Sequence, residues 1–173
     1  HFDKNQQVWV EITASDGYDF ASPVTSNRVD ILNSPPTLTS VTMDPTELYE
    51  GSVATCIGAD LVDVDGDDLG MAYSWVVNGS EVSTSASIDG SYFSRGDSVS
   101  CSVGADDGQV VGPTVQSETR TVLNSPPVVP SVSIAPSSPA EGDTITATVG
   151  TPSDDDGDSV TVSYAWYVDG SQV

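Results

Sequence analysis

The sequence predicts an all-β protein made of two-sheet sandwiches in tandem, and three observations support this prediction. Apolar and polar residues alternate with a period of two at many points, as where Val99, Cys101 and Val103 alternate with serines. Stretches rich in Gly, Asp and Asn, which favour turns, separate these runs. The chain also matches itself at one fixed offset.

The internal repeat runs along the whole chain without a gap. Its clearest pairs are Asn33-Ser34-Pro35-Pro36 with Asn124-Ser125-Pro126-Pro127, Asp65-Gly66-Asp67 with Asp156-Gly157-Asp158, and Tyr73-Ser74-Trp75 with Tyr164-Ala165-Trp166. Position 33 falls on position 124, an offset of 91 residues. A fixed period of this length is typical of an array of similar modules. We therefore divide the chain into the C-terminal half of one repeat (1–32), a complete repeat (33–123) and the N-terminal half of the next (124–173).

Within the complete repeat, the alternating runs predict seven short strands. In chain order they are A near 38–44, B near 52–58, C near 70–77, C′ near 81–85, a further strand near 86–91, F near 97–104 and G near 113–122. Asn78-Gly79, which lies between two apolar runs, is a strong hairpin signal. Seven strands in about 90 residues, with turns every 8–12 residues or so, indicate a sandwich of two sheets.

The two cysteines, Cys56 and Cys101, lie on predicted strands B and F. The corresponding residues of the flanking repeats are Ala147 and Val10, which are both apolar. This replacement suits a buried disulfide that one repeat has and its neighbours do not need, and a disulfide implies an oxidising compartment. Two reduced thiols in the core are the alternative. Because Trp75 lies on strand C between them, the order Cys, Trp, Cys matches the immunoglobulin arrangement of a tryptophan packed on an inter-sheet bridge.

Several short motifs recur and together carry a resemblance to a known architecture. They are Asn-Ser-Pro-Pro, Glu-Gly, Asp-x-Asp-Gly-Asp, Tyr-x-Trp-x-Val-(Asn/Asp)-Gly and Ala-x-Asp-Gly. On these motifs the whole chain resembles the tandem immunoglobulin-like repeats of giant bacterial and archaeal surface proteins, which are loosely related to the PKD, cadherin-like and fibronectin type III groups. The resemblance implies tandem immunoglobulin-like β-sandwich repeats on a cell surface or outside the cell.

The charge balance is strongly acidic, with 26 acidic residues against 4 basic ones and a formal net charge of −22. Such a chain is a poor partner for nucleic acid or anionic membranes, because phosphate binding needs a basic face. Cation binding, a salt-rich habitat and plain solubility each explain the charge. No apolar run approaches the roughly 20 residues that a transmembrane helix needs, so we expect no membrane insertion here.

The strongest candidate site is a loop with carboxylates at alternate positions around a glycine. The loop occurs twice, as Asp63, Asp65 and Asp67 and again as Asp154, Asp156 and Asp158. Side chains in this spacing can converge on one hard cation, and Ca²⁺ takes six to eight oxygen ligands, so calcium is the cofactor we predict. The pattern is not an EF-hand, since no Glu follows at position 12. Zinc is not expected, because His1 is the only histidine.

The sandwich topology predicts where further ligands lie. The 63–67 loop should meet Asp107 at the top of the repeat, beside the linker residue Asn33. Glu50 and Asp97 should lie at its bottom, facing the next linker at Asn124 and the next acidic loop. This arrangement resembles cadherin junctions, where a divalent ion cross-links carboxylates that would otherwise repel. The alternative is that these acids are ordinary solvated turn residues.

Other candidate residues are weaker. Asn78-Gly79-Ser80 is a glycosylation sequon, although hairpin chemistry explains it equally because its counterpart begins with Asp169. Trp9 and Tyr167 should face outward and are candidates for contacts between copies, unless each lies over its own sheet. Catalysis is not expected, because the acids lie in open loops and no nucleophile–base pair is evident.

Neither half repeat can bury its apolar face alone. Either a longer polypeptide continues in both directions, or separate chains complete one another head to tail. On an SDS gel, a very large band or a ladder favours the first and an 18 kDa band the second.

The sequence therefore predicts a structural segment of an extracellular fibre or filament, stiffened by calcium, that serves in spacing, adhesion or assembly. A glycan- or protein-binding accessory module of a secreted multidomain enzyme or adhesin is the alternative, and a halophile's acidic surface without a specific ion is a third. Flanking sequence would separate the first two. Fold alone cannot choose among them.

Overall fold

The computed structural model describes residues 2–173, and within this range it contains β-strands and turns but no α-helix. The protein is therefore all-β, which confirms the class predicted from the alternating pattern. None of the described residues forms a helix that is long and apolar enough to cross a membrane.

The strands are short in the flanking segments and longer in the middle segment (33–123). The first segment (2–32) contains β1 Gln7–Val8, β2 Glu11–Ile12, β3 Val24–Thr25 and β4 Val29–Asp30. The middle segment contains β5 Ser40–Asp44, β6 Leu48–Tyr49, β7 Val53–Ala59, β8 Gly70–Val77, β9 Ser80–Ser83, β10 Ser87–Asp89, β11 Ser98–Asp106, β12 Val115–Gln116 and β13 Arg120–Leu123. The third segment (124–173) contains β14 Val132–Ala135, β15 Thr146–Val149, β16 Tyr167–Val168 and β17 Ser171–Gln172.

The middle segment is built from two sheets, an arrangement consistent with a β-sandwich. One sheet has the order β10-β7-β5, and the other has the order β6-β13-β11-β8-β9 with β12 also paired to β11. The central pair, β8 and β11, is antiparallel and runs in register from Val77 opposite Val99 to Gly70 opposite Asp106. Strands of this length that carry alternating apolar residues bury one face each, so the core lies between the sheets.

The middle segment has more strands than the seven predicted, for two local reasons. Strand A is followed by a separate strand, β6, which pairs parallel with β13 in the other sheet. Pro45 lies between β5 and β6 and has no N–H to continue a ladder. Strand G is divided into β12 and β13, because the Ser117 hydroxyl accepts the Cys101 N–H at 3.1 Å where a main-chain carbonyl would otherwise do so.

A tryptophan and a disulfide occupy the core. The Cys56–Cys101 disulfide joins β7 to β11, which confirms the predicted bridge and excludes free thiols. Trp75 is fully buried and lies opposite Cys101 in the β8–β11 register. Its Nε1–H donates to the Ser85 carbonyl at 2.9 Å, so its one polar group is satisfied. Leu48 and Phe93 also belong to this core.

The flanking segments expose the residues that correspond to this core. Trp166, the counterpart of Trp75, is 40% exposed, and an open apolar groove beside it is lined by Ile134, Val149 and Tyr164. Val10 of the first segment, the counterpart of Cys101, is exposed as well. Both flanking segments therefore leave apolar side chains exposed.

Candidate functional site

Each acidic loop is folded by its own first aspartate. We call residues 63–67 and 154–158 the two acidic loops. Asp63 Oδ1 accepts the N–H groups of Asp65 and Asp67 at 2.8 and 3.2 Å. In the other loop, Asp154 Oδ1 accepts the corresponding N–H groups of Asp156 and Asp158 at 3.0 and 3.2 Å. Aspartate is favoured at such positions because its short side chain can bond to the backbone two residues further on.

The middle glycine of each loop has a positive φ, +79° at Gly66 and +73° at Gly157. Glycine adopts this conformation without the steric cost that a Cβ would bring. The same aspartate-glycine chemistry therefore shapes both loops, and their geometry is a property of the local sequence.

The middle aspartate of each loop holds the preceding linker. Asp65 Oδ2 accepts the Ser34 N–H at 2.6 Å, and Asp156 Oδ2 accepts the Ser125 N–H at 2.6 Å. Prolines follow both serines, so the linker has few conformations to lose when it is held in this way. Consequently each acidic loop is fixed to the linker that leads into its own segment.

Asp107 lies beside the first acidic loop. Its Oδ1 accepts the N–H groups of Gln109 and Val110, both at 2.7 Å, and its Oδ2 accepts an N–H from the Asn33 amide at 2.7 Å. The hydrogen bond from Asn33, followed by the one from the Val110 backbone, lowers the pKa of the Asp107 carboxyl below its usual range.

Carboxylate oxygens converge at both loops. One oxygen from each of Asp63, Asp67 and Asp107 lies within 4.8 Å of the others, and the three aspartates of the second loop converge in the same way. Asp63 Oδ2 is buried and has no hydrogen-bond partner among the described residues. Three carboxylates with an orphaned buried oxygen form a donor set of the chemistry that calcium prefers.

A basic side chain from the preceding segment reaches each acidic loop. We call the places where the first segment meets the middle one, and the middle meets the third, the first and second junctions. At the first junction, Lys4 Nζ donates to Asn33 Oδ1 at 3.0 Å and forms an ion pair with Asp67. The hydrogen bond to Asp67 and the charges of the nearby aspartates raise the pKa of the Lys4 ammonium.

At the second junction, Arg95 takes the corresponding place. Its Nη1 donates to Asn124 Oδ1 at 2.6 Å and pairs with Asp158, while its Nη2 donates to Asp158 Oδ1 at 3.1 Å. Asp156 Oδ2 lies 3.9 Å from Nη1. Asp158 raises the pKa of the guanidinium, first through the hydrogen bond and then through its charge.

Lys4 and Arg95 were not among the residues predicted for the site. They are separated by the same 91 residues as the other repeated pairs, and they are two of only four basic residues in the chain. The shared offset of 91 residues, in a chain with so few basic residues, was the sequence feature that could have pointed to Lys4 and Arg95. Charge composition alone could not show that either side chain crosses a segment boundary.

Glu50 and Asp97 shape the turn that carries Arg95. Glu50 Oε2 accepts the Arg95 N–H at 3.3 Å, and Asp97 Oδ2 accepts the Ser94 N–H at 2.8 Å. Asp97 Oδ1 accepts an N–H from the Asn78 amide at 2.7 Å, and these contacts lower the pKa of the Asp97 carboxyl, with Asn78 the larger cause. Both acids therefore stabilise a turn of the middle segment that lies next to the second junction.

The remaining predicted residues have local roles. Asn78 forms a positive-φ turn with Gly79, and its side chain bonds to both Asp97 and the Ser98 N–H. Trp9 is half-exposed, and the Arg28 guanidinium lies over its ring at 4.4 Å from the centroid. Tyr167 is 62% exposed, as predicted for an outward-facing residue.

Comparison with models of protein families, with characterised proteins and with solved structures gave no match.

Proposed function

We propose that this chain is a structural segment of an extracellular fibre or filament built from tandem immunoglobulin-like repeats, with a role in spacing, adhesion or assembly. One observation carries the proposal. The contacts at the first junction recur at the second with every partner displaced by 91 residues, from Lys4, Asn33 and Asp67 to Arg95, Asn124 and Asp158.

The turns that carry the basic residues follow the same rule. Asn5 N–H donates to the Ile31 carbonyl at 2.9 Å, and Gly96 N–H donates to the Val122 carbonyl at 2.9 Å. Both turn residues have positive φ, +68° at Asn5 and +89° at Gly96. When each unit meets the next through the same contacts, the same rotation and translation repeat along the chain. Such head-to-tail contacts build an open filament unless the rotation closes a ring.

Calcium at the junctions is part of this proposal. The residues that would hold it at the first junction are Asp63, Asp67 and Asp107, with Asp63 Oδ2 available as an unused oxygen. A bound divalent ion would neutralise carboxylates that repel one another at this separation and would cross-link the loop to its surroundings. At the second junction the carboxylates that converge are those of Asp154, Asp156 and Asp158, where Asp156 is the counterpart of Asp65 and not of Asp107.

An extracellular location agrees with the disulfide in the middle segment. The Cys56–Cys101 disulfide is stable in oxidising compartments, and such bridges are rare where thiols are kept reduced.

Low-magnification electron microscopy of the native material tests the proposal. A thread with regularly spaced beads is the expected image. Separate globular particles attached to a catalytic domain would instead support an accessory binding module.

A further inference from the structure

We propose that Lys4 and Arg95 are tethered cations that close each junction, and that a free divalent cation must displace them to reach Asp67 or Asp158. The inference rests on the proposed tandem arrangement. At each junction the side-chain cation and a dissolved divalent cation compete for the same carboxylate, that of Asp67 or Asp158. No motif in the sequence marks this role.

The two ion pairs differ in their exposure to solvent and in their number of contacts. The side chains of Lys4 and Asp67 are 14% and 24% exposed, so the pair is largely withdrawn from solvent. Arg95 and Asp158 are more exposed, at 41% and 45%, but both Arg95 terminal nitrogens face the same carboxylate. A guanidinium that binds both carboxylate oxygens gains geometric specificity that a single contact lacks.

The basic side chains bind oxygen atoms of two chemical types, carboxylate and amide. Lys4 binds one carboxylate oxygen of Asp67 and the amide oxygen of Asn33. Arg95 binds both carboxylate oxygens of Asp158 and the amide oxygen of Asn124. These are the oxygen types that Ca²⁺ uses. Two cations held on the same oxygens repel each other strongly, so occupancy by the side chain opposes occupancy by a free ion.

The contacts of each basic side chain cross the boundary between two successive segments. Lys4 belongs to the first segment, whereas both of its partners belong to the middle one. The linker serine at each junction is bonded to the same acidic loop, through Asp65 at the first junction and Asp156 at the second. The linker amide holds the loop from within its own segment, whereas the basic side chain holds the same loop from the preceding segment. Loss of the basic group should loosen the nearby amide.

The experiment uses each junction as the control for the other. Lys4→Gln and Arg95→Gln are made in the full chain, and amide hydrogen exchange of Ser34 and Ser125 is followed by NMR in chelator-treated protein. Lys4→Gln should speed exchange at Ser34 by about tenfold and leave Ser125 unchanged, and Arg95→Gln should do the reverse. Arg28→Gln, a basic residue lying on Trp9, should change neither. Unchanged exchange in both variants, or equal acceleration at both sites in each, overturns the proposal.

A calcium titration of the same proteins tests the competition. If the original chain binds calcium, Lys4→Gln should tighten binding at the first junction by about tenfold and leave the second unaltered, because one competing charge has been removed. Equal affinities in the variant and the original chain overturn the competition. If the original chain binds no calcium at all, the calcium part of the proposed function fails, and hydrogen exchange alone decides the role of Lys4 and Arg95.

Discussion

Arg95 lies in the middle segment and pairs with Asp158, 63 residues further along the chain, in the acidic loop of the third segment. Lys4 and Asp67 are separated by the same 63 residues and form the same pair one segment earlier. The same type of contact, between a basic residue on a turn and an aspartate of an acidic loop, therefore occurs at both junctions.

Calcium should stabilise the chain more than a monovalent salt of equal ionic strength. If the acidic loops bind Ca²⁺, a free concentration of about 100 times the Kd adds roughly 2.7 kcal/mol to the free energy of unfolding. EDTA should then lower the Tm and bend the array. Thermal unfolding in CaCl₂, KCl and EDTA checks this, and identical Tm values in CaCl₂ and matched KCl would contradict it.

Acid should release the Asp107 contacts. The folded-state pKa of Asp107 lies below its ordinary value, so its stabilising contribution is present above an unfolded pKa of about 4 and is lost as pH falls through the folded-state pKa. Asp107→Asn should therefore reduce the loss of stability on acidification. Urea unfolding at pH 7 and pH 3 measures this.

Asp97→Asn is the matched control for that measurement, because the Asp97 pKa is also lowered but its partners Asn78 and Ser94 include no residue of the linker before the first acidic loop, whereas Asp107 accepts from Asn33. It should likewise reduce the acid sensitivity of unfolding. Amide exchange at Ser34, beside Asn33, should respond only to Asp107→Asn. An effect of both variants at Ser34 would count against a local role for Asp107.

The disulfide should stabilise the middle segment without being essential to its fold. The bridge closes a loop with a sequence separation of 45, for which about 2–4 kcal/mol is expected. Cys56→Ala combined with Cys101→Val introduces the residues found at the corresponding positions of the flanking segments, Ala147 and Val10. Urea unfolding should show the lower stability and a cooperative transition. Loss of all cooperative unfolding would mean that the bridge is required.

Trp75 should dominate the stability of the core. It is fully buried, and Trp75→Ala should cost about 3–5 kcal/mol through lost contacts and a cavity. Tyr167→Ala removes an exposed aromatic side chain and should change stability by no more than about 0.5 kcal/mol. Denaturant unfolding of both variants measures the contrast. Equal losses would show that burial is not the cause.

Strand positions followed from alternation wherever one face of the strand is buried. In β11, Val99, Cys101 and Val103 are buried as predicted. In β7 the pattern was ambiguous, because Val53 and Ile57 are apolar yet exposed while Ala54 and Cys56 face the core. Periodicity cannot assign a face when both faces are apolar.

The acidic loops were predictable because their fold depends on adjacent residues. Asp63 bonds to the backbone of its own loop, and Gly66 supplies the positive φ. The basic partners were not predictable in the same way, since Lys4 and Asp67 meet only after two segments pack end to end. Strand β6 was also missed, because two residues that pair parallel with β13 leave no periodic signal.

A cryo-EM map of the native material with resolved side chains would show whether every unit meets the next through the same contacts. We predict one rotation and translation between successive 91-residue units, with a basic side chain or a bound ion at the acidic loop of every junction. Successive units related by different rotations, or acidic loops that contact only solvent, would contradict it.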